Sequence, residues 1–174
     1  MKRKIDALEH AGAICKAMQK GILLTTKKGD AVNTMTIGWG MVGIEWSKPI
    51  FIAYVRYSRY TKEILDGTDE FTVNVPIGEL DSNIIRLCGT RSGRDMDKIT
   101  ELGLTLEDPE VISTPGIREL PLTLECKILY RRPQNVDAIP QDILDRYYPA
   151  DENGQRDGHI AYYAQIVDAY IIEE

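Results

Sequence analysis

The chain has 174 residues, the size of one domain, and its 43% hydrophobic and 28% charged residues exclude a disordered or fibrous chain. Its 21 basic and 27 acidic residues give a net charge of −6, without the basic excess of a general nucleic-acid or anionic-membrane binder. Cys15, Cys88 and Cys126 form no CxxC pair, and His10 and His159 alone do not make a multi-histidine metal site.

Leu8, Ala11, Cys15 and Met18 recur at helical spacing, so an amphipathic helix is predicted over about 6–19, with Gly21 as its stop. Ahead of it, Asp6 and Glu9 follow Met1-Lys2-Arg3-Lys4 where a signal peptide would carry an apolar core. The period then changes. Ile22 to Thr26 reads as a strand, Lys28-Gly29-Asp30 as a turn, and a second strand runs from Asn33 to Gly40, so 21–45 resembles a hairpin. After Ser47-Lys48-Pro49, Ile50 to Val55 is apolar on both faces and reads as an internal strand. A short helix over 61–65 follows, with Thr61 or Ser58 able to cap it. Glu70–Val75 alternates as a strand, and a helix covers roughly 80–88. Residues 89–94 form a loop, with Asp95 capping a short helix through Leu102. Residues 105–118 are loop-like, and Leu120 to Tyr130 alternate as a long half-buried strand. A short helix near 141–147 and a polar loop at 149–158 precede a last strand over about 159–172. Six strands without long crossover helices predict a mainly β domain, an antiparallel sheet closing into a small barrel with short helices packed around it. No apolar run approaches the roughly 18 residues of a membrane span. The expectation is one domain over 1–174 in the cytoplasm, with reduced thiols, no metal, and no nucleic-acid or membrane partner.

Three segments carry chemistry. In the 33–40 strand, Met35, Ile37 and Trp39 share a core face, while Thr34, Thr36, Gly38 and Gly40 make a flat, small opposite face. Glycine inside a strand marks a bulge or a place where a ligand approaches backbone. The apolar phase then flips to Val42, Ile44 and Trp46, as a bulge requires. Arg56-Tyr57-Ser58-Arg59-Tyr60-Thr61 gathers two guanidiniums and several hydroxyls at a helix start, a set suited to phosphate and equally to a capped helix with solvated arginines. Cys88-Gly89-Thr90-Arg91-Ser92-Gly93-Arg94-Asp95, with Lys98 beyond, can close over an anion or lie open as a surface loop. Neither GxxxxGK[ST] nor a strand-borne GxGxxG is present.

In order and spacing, Asn33 to Gly40, Lys48-Pro49 with Arg56 to Thr61, Glu70 to Pro76, and Cys88 to Lys98 resemble the flavin reductase-like family, the split-barrel flavoproteins that include flavoredoxin. The similarity covers roughly 20–172. It implies a six-stranded antiparallel Greek-key split barrel that binds FMN, usually as a homodimer with flavin near the subunit interface. It implies electron transfer from NAD(P)H through FMN to a flavin, protein or small-molecule acceptor. The alternative is an FMN carrier without a pyridine nucleotide site. The resemblance sets Thr34, Met35, Thr36, Ile37, Gly38 and Trp39 beside the ring. It sets Arg56, Ser58, Arg59, Tyr60 and Thr61 at the phosphate, and adds Asn74, Cys88, Gly89, Ser92, Gly93, Asp95 and Lys98 as further cofactor contacts. Lys98 or Arg94 would offset charge on the reduced ring. His159 is the one catalytic candidate, weighed against a surface or capping role. Trp39 and Trp46 are weighed as ring-stacking residues against core packing, with the core favoured for Trp39. Cys88 is read as a backbone contact, not a redox thiol, and Asp168 as an interface or paired carboxylate.

Overall fold

A computed structural model describes residues 1–173. Ten strands run in chain order: β1 (Lys2–Lys4), β2 (Ile22–Lys28), β3 (Ala31–Ile37), β4 (Gly40–Glu45), β5 (Lys48–Arg56), β6 (Glu70–Val75), β7 (Leu106–Glu107), β8 (Gly116–Ile117), β9 (Leu122–Pro133) and β10 (His159–Ile172). Five helices join them: α1 (Ala11–Met18), α2 (Tyr60–Leu65), α3 (Ser82–Thr90), α4 (Lys98–Glu101) and α5 (Gln141–Tyr147). Seven strands lie in the order β3-β2-β6-β9-β10-β5-β4, with β1 added beside β10; β7 and β8 pair separately. All pairings among the described residues are antiparallel. The predicted class holds: mainly β, with short helices outside, and a sheet that curls as a split barrel without closing.

The long β10 organises the sheet. One of its sides pairs with β9 along most of its length. The other pairs with β5 over His159–Gln165 and with β1 over Tyr170–Ile172. β1 escapes the sequence reading because it is three basic residues with no alternation. Its Lys4 Nζ lies 3.1 Å from Asp168 Oδ2, the partner that explains the polar residue at 168.

The main correction is at 33–40. This is not one bulged strand of a 21–45 hairpin. β3 ends at Ile37, and β4 begins at Gly40 as the partner of β5, on the opposite edge of the sheet. Two residues, Gly38 and Trp39, span the split. A Cβ on Gly40 would lie 2.9 Å from the Ile52 carbonyl and 3.1 Å from Met18 Sδ and Phe51 Cζ, so the crossing needs glycine there. Because alternation stops at Ile37, Trp39 does not continue the core face of Met35 and Ile37 and is 41% exposed. Ile44 and Trp46 are exposed too, since β4 is an edge strand.

α1 is shorter than predicted and is turned so that Ile14 and Met18 are buried, while Leu8 and Cys15 are exposed. Ile14 and Met18 join Ile22, Leu24, Phe51, Phe71, Leu124 and Tyr162 in the main core inside the curl. A second cluster of Leu23, Ile84, Cys88, Ile117 and Leu120 seats α3 on the outer face of β2. α2 is capped by neither Thr61 nor Ser58 side chains, and α4 is capped by Asp97 instead of Asp95.

The β4–β5 hairpin turns on Trp46 and Ser47, both left-handed at φ 51° and 57°, the geometry of a two-residue type I′ loop. A side chain in this region costs roughly 1–2 kcal/mol relative to glycine. Ser47→Gly should therefore raise the melting temperature by about 2–4 °C in a domain of this size. An unchanged or lower midpoint in a thermal melt would show that the turn carries no such strain.

Candidate functional site

The site is built at the split. One hollow, about 130 Å³, lies between the start of α2 and the loop after α3; Ser58, Arg59, Tyr60, Thr61, Arg91, Arg94 and Lys98 are among its lining. Four of its lining residues are cations and none is a carboxylate, in a chain of net charge −6. Two of the cations are held by the C-terminal carbonyls of α3. Arg59 Nη1 donates to Gly89 O at 3.0 Å, and buried Lys98 Nζ donates to Cys88 O at 3.1 Å and to Thr34 O at 2.9 Å. Burial lowers the Lys98 pKa, and the nearby Arg59 charge lowers it further. Burial pushes the Cys88 thiol up to about 11, so it stays protonated and unreactive. Arg94 pairs with Glu63 and sits 5.4 Å from the Tyr60 ring centre. The loop approaches β3 without clearance: a Cβ on Gly93 would meet Asn33 Oδ1 at 2.0 Å and Tyr60 Cδ1 at 2.9 Å.

A second hollow of about 190 Å³ adjoins it, and Met35 and Arg59 border both. Here the walls are Thr36, Ile37, Gly38 and Trp39 from the crossing, Tyr54 and Arg56 from β5, and His159 from β10. His159 is buried, and its ring centroid is 5.2 Å from that of Trp39. Its Nδ1 shares a 3.0 Å hydrogen bond with the Tyr148 hydroxyl. Burial, helped by the Arg56 charge, lowers its pKa to about 4, so the imidazole is neutral at neutral pH. His159, a catalytic candidate weighed against a surface or capping role, is thus an inward-facing ring beside the hollow. Trp39 also meets Tyr147 edge-on at 5.2 Å. Arg56 lies 5.0 Å from the Tyr148 ring and 5.9 Å from the Trp39 ring.

Most of the residues anticipated from the sequence line these two hollows, but several do so differently from the expectation. The Arg56 guanidinium is directed to Asp157 O at 2.6 Å and Tyr147 O at 2.8 Å, away from the cationic hollow. Ser58 donates to the Asp157 carboxylate twice, from its hydroxyl at 2.6 Å and its N–H at 3.2 Å. Thr61 is buried and accepts from Asn33 Nδ2 at 3.0 Å. Thr34 is buried against Thr25, 3.0 Å between hydroxyl oxygens. Cys88 and Gly89 contribute carbonyls to the cations. Asp95 borders the adjoining hollow beyond Gly93. Asn74 is placed elsewhere, in a buried network with Thr25, Thr72 and the Ile117 N–H. The reading missed Asn33, Tyr54, Tyr147, Tyr148 and Asp157. Tyr54 had a signal: it is the one residue of the Ile50–Val55 run with a polar tip, and it shares a strand face with Arg56.

The flavin reductase like domain model matches residues 17–174. The chain belongs to the flavin reductase-like family. A protein of uncharacterized function from Archaeoglobus fulgidus is 33% identical over 97 residues, 56% of this chain and 54% of that protein. The chain thus spans about half the length of that curated relative. Among solved structures, an FMN-binding domain of a flavin reductase-like enzyme from Shewanella baltica has a TM-score of 0.64 at 15% identity, over 98% of this chain and 77% of that one. Flavoredoxin of Desulfovibrio vulgaris (Miyazaki F) has a TM-score of 0.65 at 19% identity, over 88% and 69%. These likenesses concern the fold.

The donor set fits a mononucleotide-type ligand of this family: an acid-free cationic hollow for an anion, joined to a wall of small and aromatic groups for a planar ring. Gly38 leaves that wall open, since an added Cβ would meet only the Met18 carbonyl, at 3.7 Å.

The buried His159 sets a pH dependence. Unfolded, it takes a proton near pH 6.5; folded, only near 4. Between these values the unfolded chain binds more protons, so this contribution is intact above about 6.5 and is lost as pH falls toward 4, by about 3 kcal/mol in all. Urea unfolding at pH 7 and 4.5 should show this loss in the parent and a smaller one in His159→Gln. Equal losses would place the ring in solvent.

Proposed function

We propose that the protein binds FMN in this trough and is an oxidoreductase that takes electrons from NAD(P)H and passes them to an acceptor. The observation that carries the reading is the joining of an acid-free hollow lined by four cations to a second acid-free hollow walled by small and aromatic groups with Arg56 and Arg59 at its border. Arg59, Arg91, Arg94 and Ser58 would hold the phosphate, with charge-assisted hydrogen bonds from the guanidiniums. Met35 to Trp39 would lie along the ring, and Gly38 admits it without a side chain in the way. The chemistry that FMN supplies when bound is acceptance of a hydride equivalent and its release as one or two electrons. The neutral His159 ring, held through Nδ1 by Tyr148, offers a hydrogen-bonding group that carries no charge into the ring hollow. Lys98 fixes β3 to α3 and supplies positive charge at the cationic hollow.

A homodimer is part of this reading. It is supported by edge strand β4, where Met41, Ile44 and Trp46 are 54%, 70% and 53% exposed. A cytoplasmic setting is supported by three unbridged cysteines.

The Asp157 carboxylate now occupies both Ser58 donors, so a phosphate must exchange with it. Two variants test this against riboflavin, which has the ring without the phosphate. Arg59→Ala should weaken FMN by roughly 10- to 150-fold, the loss of one charged hydrogen bond, with riboflavin little changed. Asp157→Asn should tighten FMN several-fold and leave riboflavin alone. Parallel changes for both ligands would remove the phosphate from this hollow.

Enzymatic activity is read separately. The protein as isolated, or after incubation with FMN, should be yellow, and anaerobic NADH or NADPH should bleach it. A flavin-loaded protein that stays yellow with both nucleotides would be a carrier without a pyridine nucleotide site.

A further inference from the structure

A third hollow continues the trough past Trp39. It holds about 420 Å³, shares Gly38, Trp39 and Tyr54 with the ring hollow, and extends to Cys15 and Met18 of α1 and Met41 of β4. No Asp, Glu, Lys, Arg or His is among its lining residues. The cationic hollow at the far end, by contrast, has four charged residues. An ion placed in the third hollow would lose water without gaining a counter-charge. A flat apolar molecule would instead meet aromatic faces and the polarizable thioethers of Met18 and Met41. Its directional polar groups are uncharged: the Gln19 and Gln134 amides and the Tyr54 and Tyr148 hydroxyls. The Gln134 amide oxygen accepts from the His159 N–H at 3.3 Å, which leaves its NH2 as a donor toward an acceptor oxygen.

We propose that this hollow seats the electron acceptor, and that the acceptor is an uncharged planar carbonyl compound of the quinone class. The assignment rests on the FMN reading above, because only a flavin next to Gly38 and Trp39 would put the carbonyl compound beside an electron source. In balance, NAD(P)H and one proton from solvent supply two electrons and two protons. The quinone is reduced to the hydroquinone, its two C=O groups becoming C–OH, and NAD(P)+ is released.

The test is binding, by equilibrium dialysis on flavin-free and FMN-loaded protein. The probes are 2-hydroxymethylanthraquinone and anthraquinone-2-sulfonate, which differ in charge and cannot add to the Cys15 thiol as an open quinone would. The neutral probe should bind saturably to FMN-loaded protein, at least about tenfold tighter than the sulfonate. Cys15→Lys, at an exposed helix position, should reduce or reverse that preference by admitting the sulfonate. Gln19→Lys repeats the test from the end of α1. Equal binding of the two probes, binding of neither, or an unchanged ratio in both lysine variants would overturn the assignment. FMN titrated in the same samples keeps the two ideas apart: retained FMN with no quinone binding sinks this inference alone, whereas absent FMN binding sinks the reading beneath it.

Discussion

Gly38 and Trp39 are all that separates one edge of the sheet from the other. β3 and β4 end the strand order on opposite sides, yet Ile37 and Gly40 are three residues apart, a span of about 11 Å at most. The sheet must therefore curl until its two edges come within about 11 Å of each other at this end. At that gap Gly38 and Trp39 run without ladder partners, and Gly40 follows as the first residue of β4. Everything proposed for function follows the gap: the ring hollow on one side of the crossing, the neutral hollow on the other, and the cationic hollow farther along β3. Gly40 allows the crossing to lie against Ile52 and Phe51, and Gly38 keeps its groove side bare.

Charge is distributed along the trough against the overall balance of the chain. A protein of net charge −6 gathers four cations around one small hollow, and several of them are anchored before any ligand arrives. Lys98 and Arg59 use the carbonyls at the C-terminus of α3, where the helix dipole favours positive charge. Such preorganisation lowers the ordering cost of binding an anion. At the other end the titratable ring is kept neutral by burial and by its cationic neighbours. One ligand can then span from a cluster of cations to small and aromatic groups, since Met35 and Arg59 border both hollows.

Much of this was legible in the residues. The strand at Glu70–Val75, the helix at 141–147 and the last strand over 159–172 follow directly from period and punctuation. The two basic loops were also visible, but of the expected Thr/Gly face only Thr36 and Gly38 reach the ring hollow. What the sequence could not carry was pairing. Thr34, Met35, Thr36, Ile37, Gly38 and Trp39 alternate as well in one strand as in a strand followed by a crossing, and only the partner of Gly40, Ala53 on β5, decides between them. The same limit hid Asp157 and the Tyr147–Tyr148 pair. They lie about a hundred residues from the Ser58 and Trp39 side chains they touch, and no local pattern marks a contact of that range. Asn74 misled for the converse reason: an asparagine in a strand beside the basic loops looks available, whereas its amide is consumed in the core.

The far-reaching contacts also join the two ends of the trough. Arg56 donates to the carbonyls of Asp157 and Tyr147 and lies near the rings of Trp39 and Tyr148. Asp157 in turn covers Ser58 with its side chain while Arg56 holds its main chain. An anion that takes Ser58 displaces a carboxylate whose backbone is tied to the same guanidinium that packs on the aromatic wall. The Ser58 end of the trough and the rings of Trp39 and Tyr148, which border the neutral hollow, thus share one side chain, Arg56. Linkage of this kind is reciprocal. If an anion at Ser58 alters the aromatic wall, a molecule bound against that wall must alter the anion's affinity by the same factor, and Arg56 is the side chain through which both effects pass.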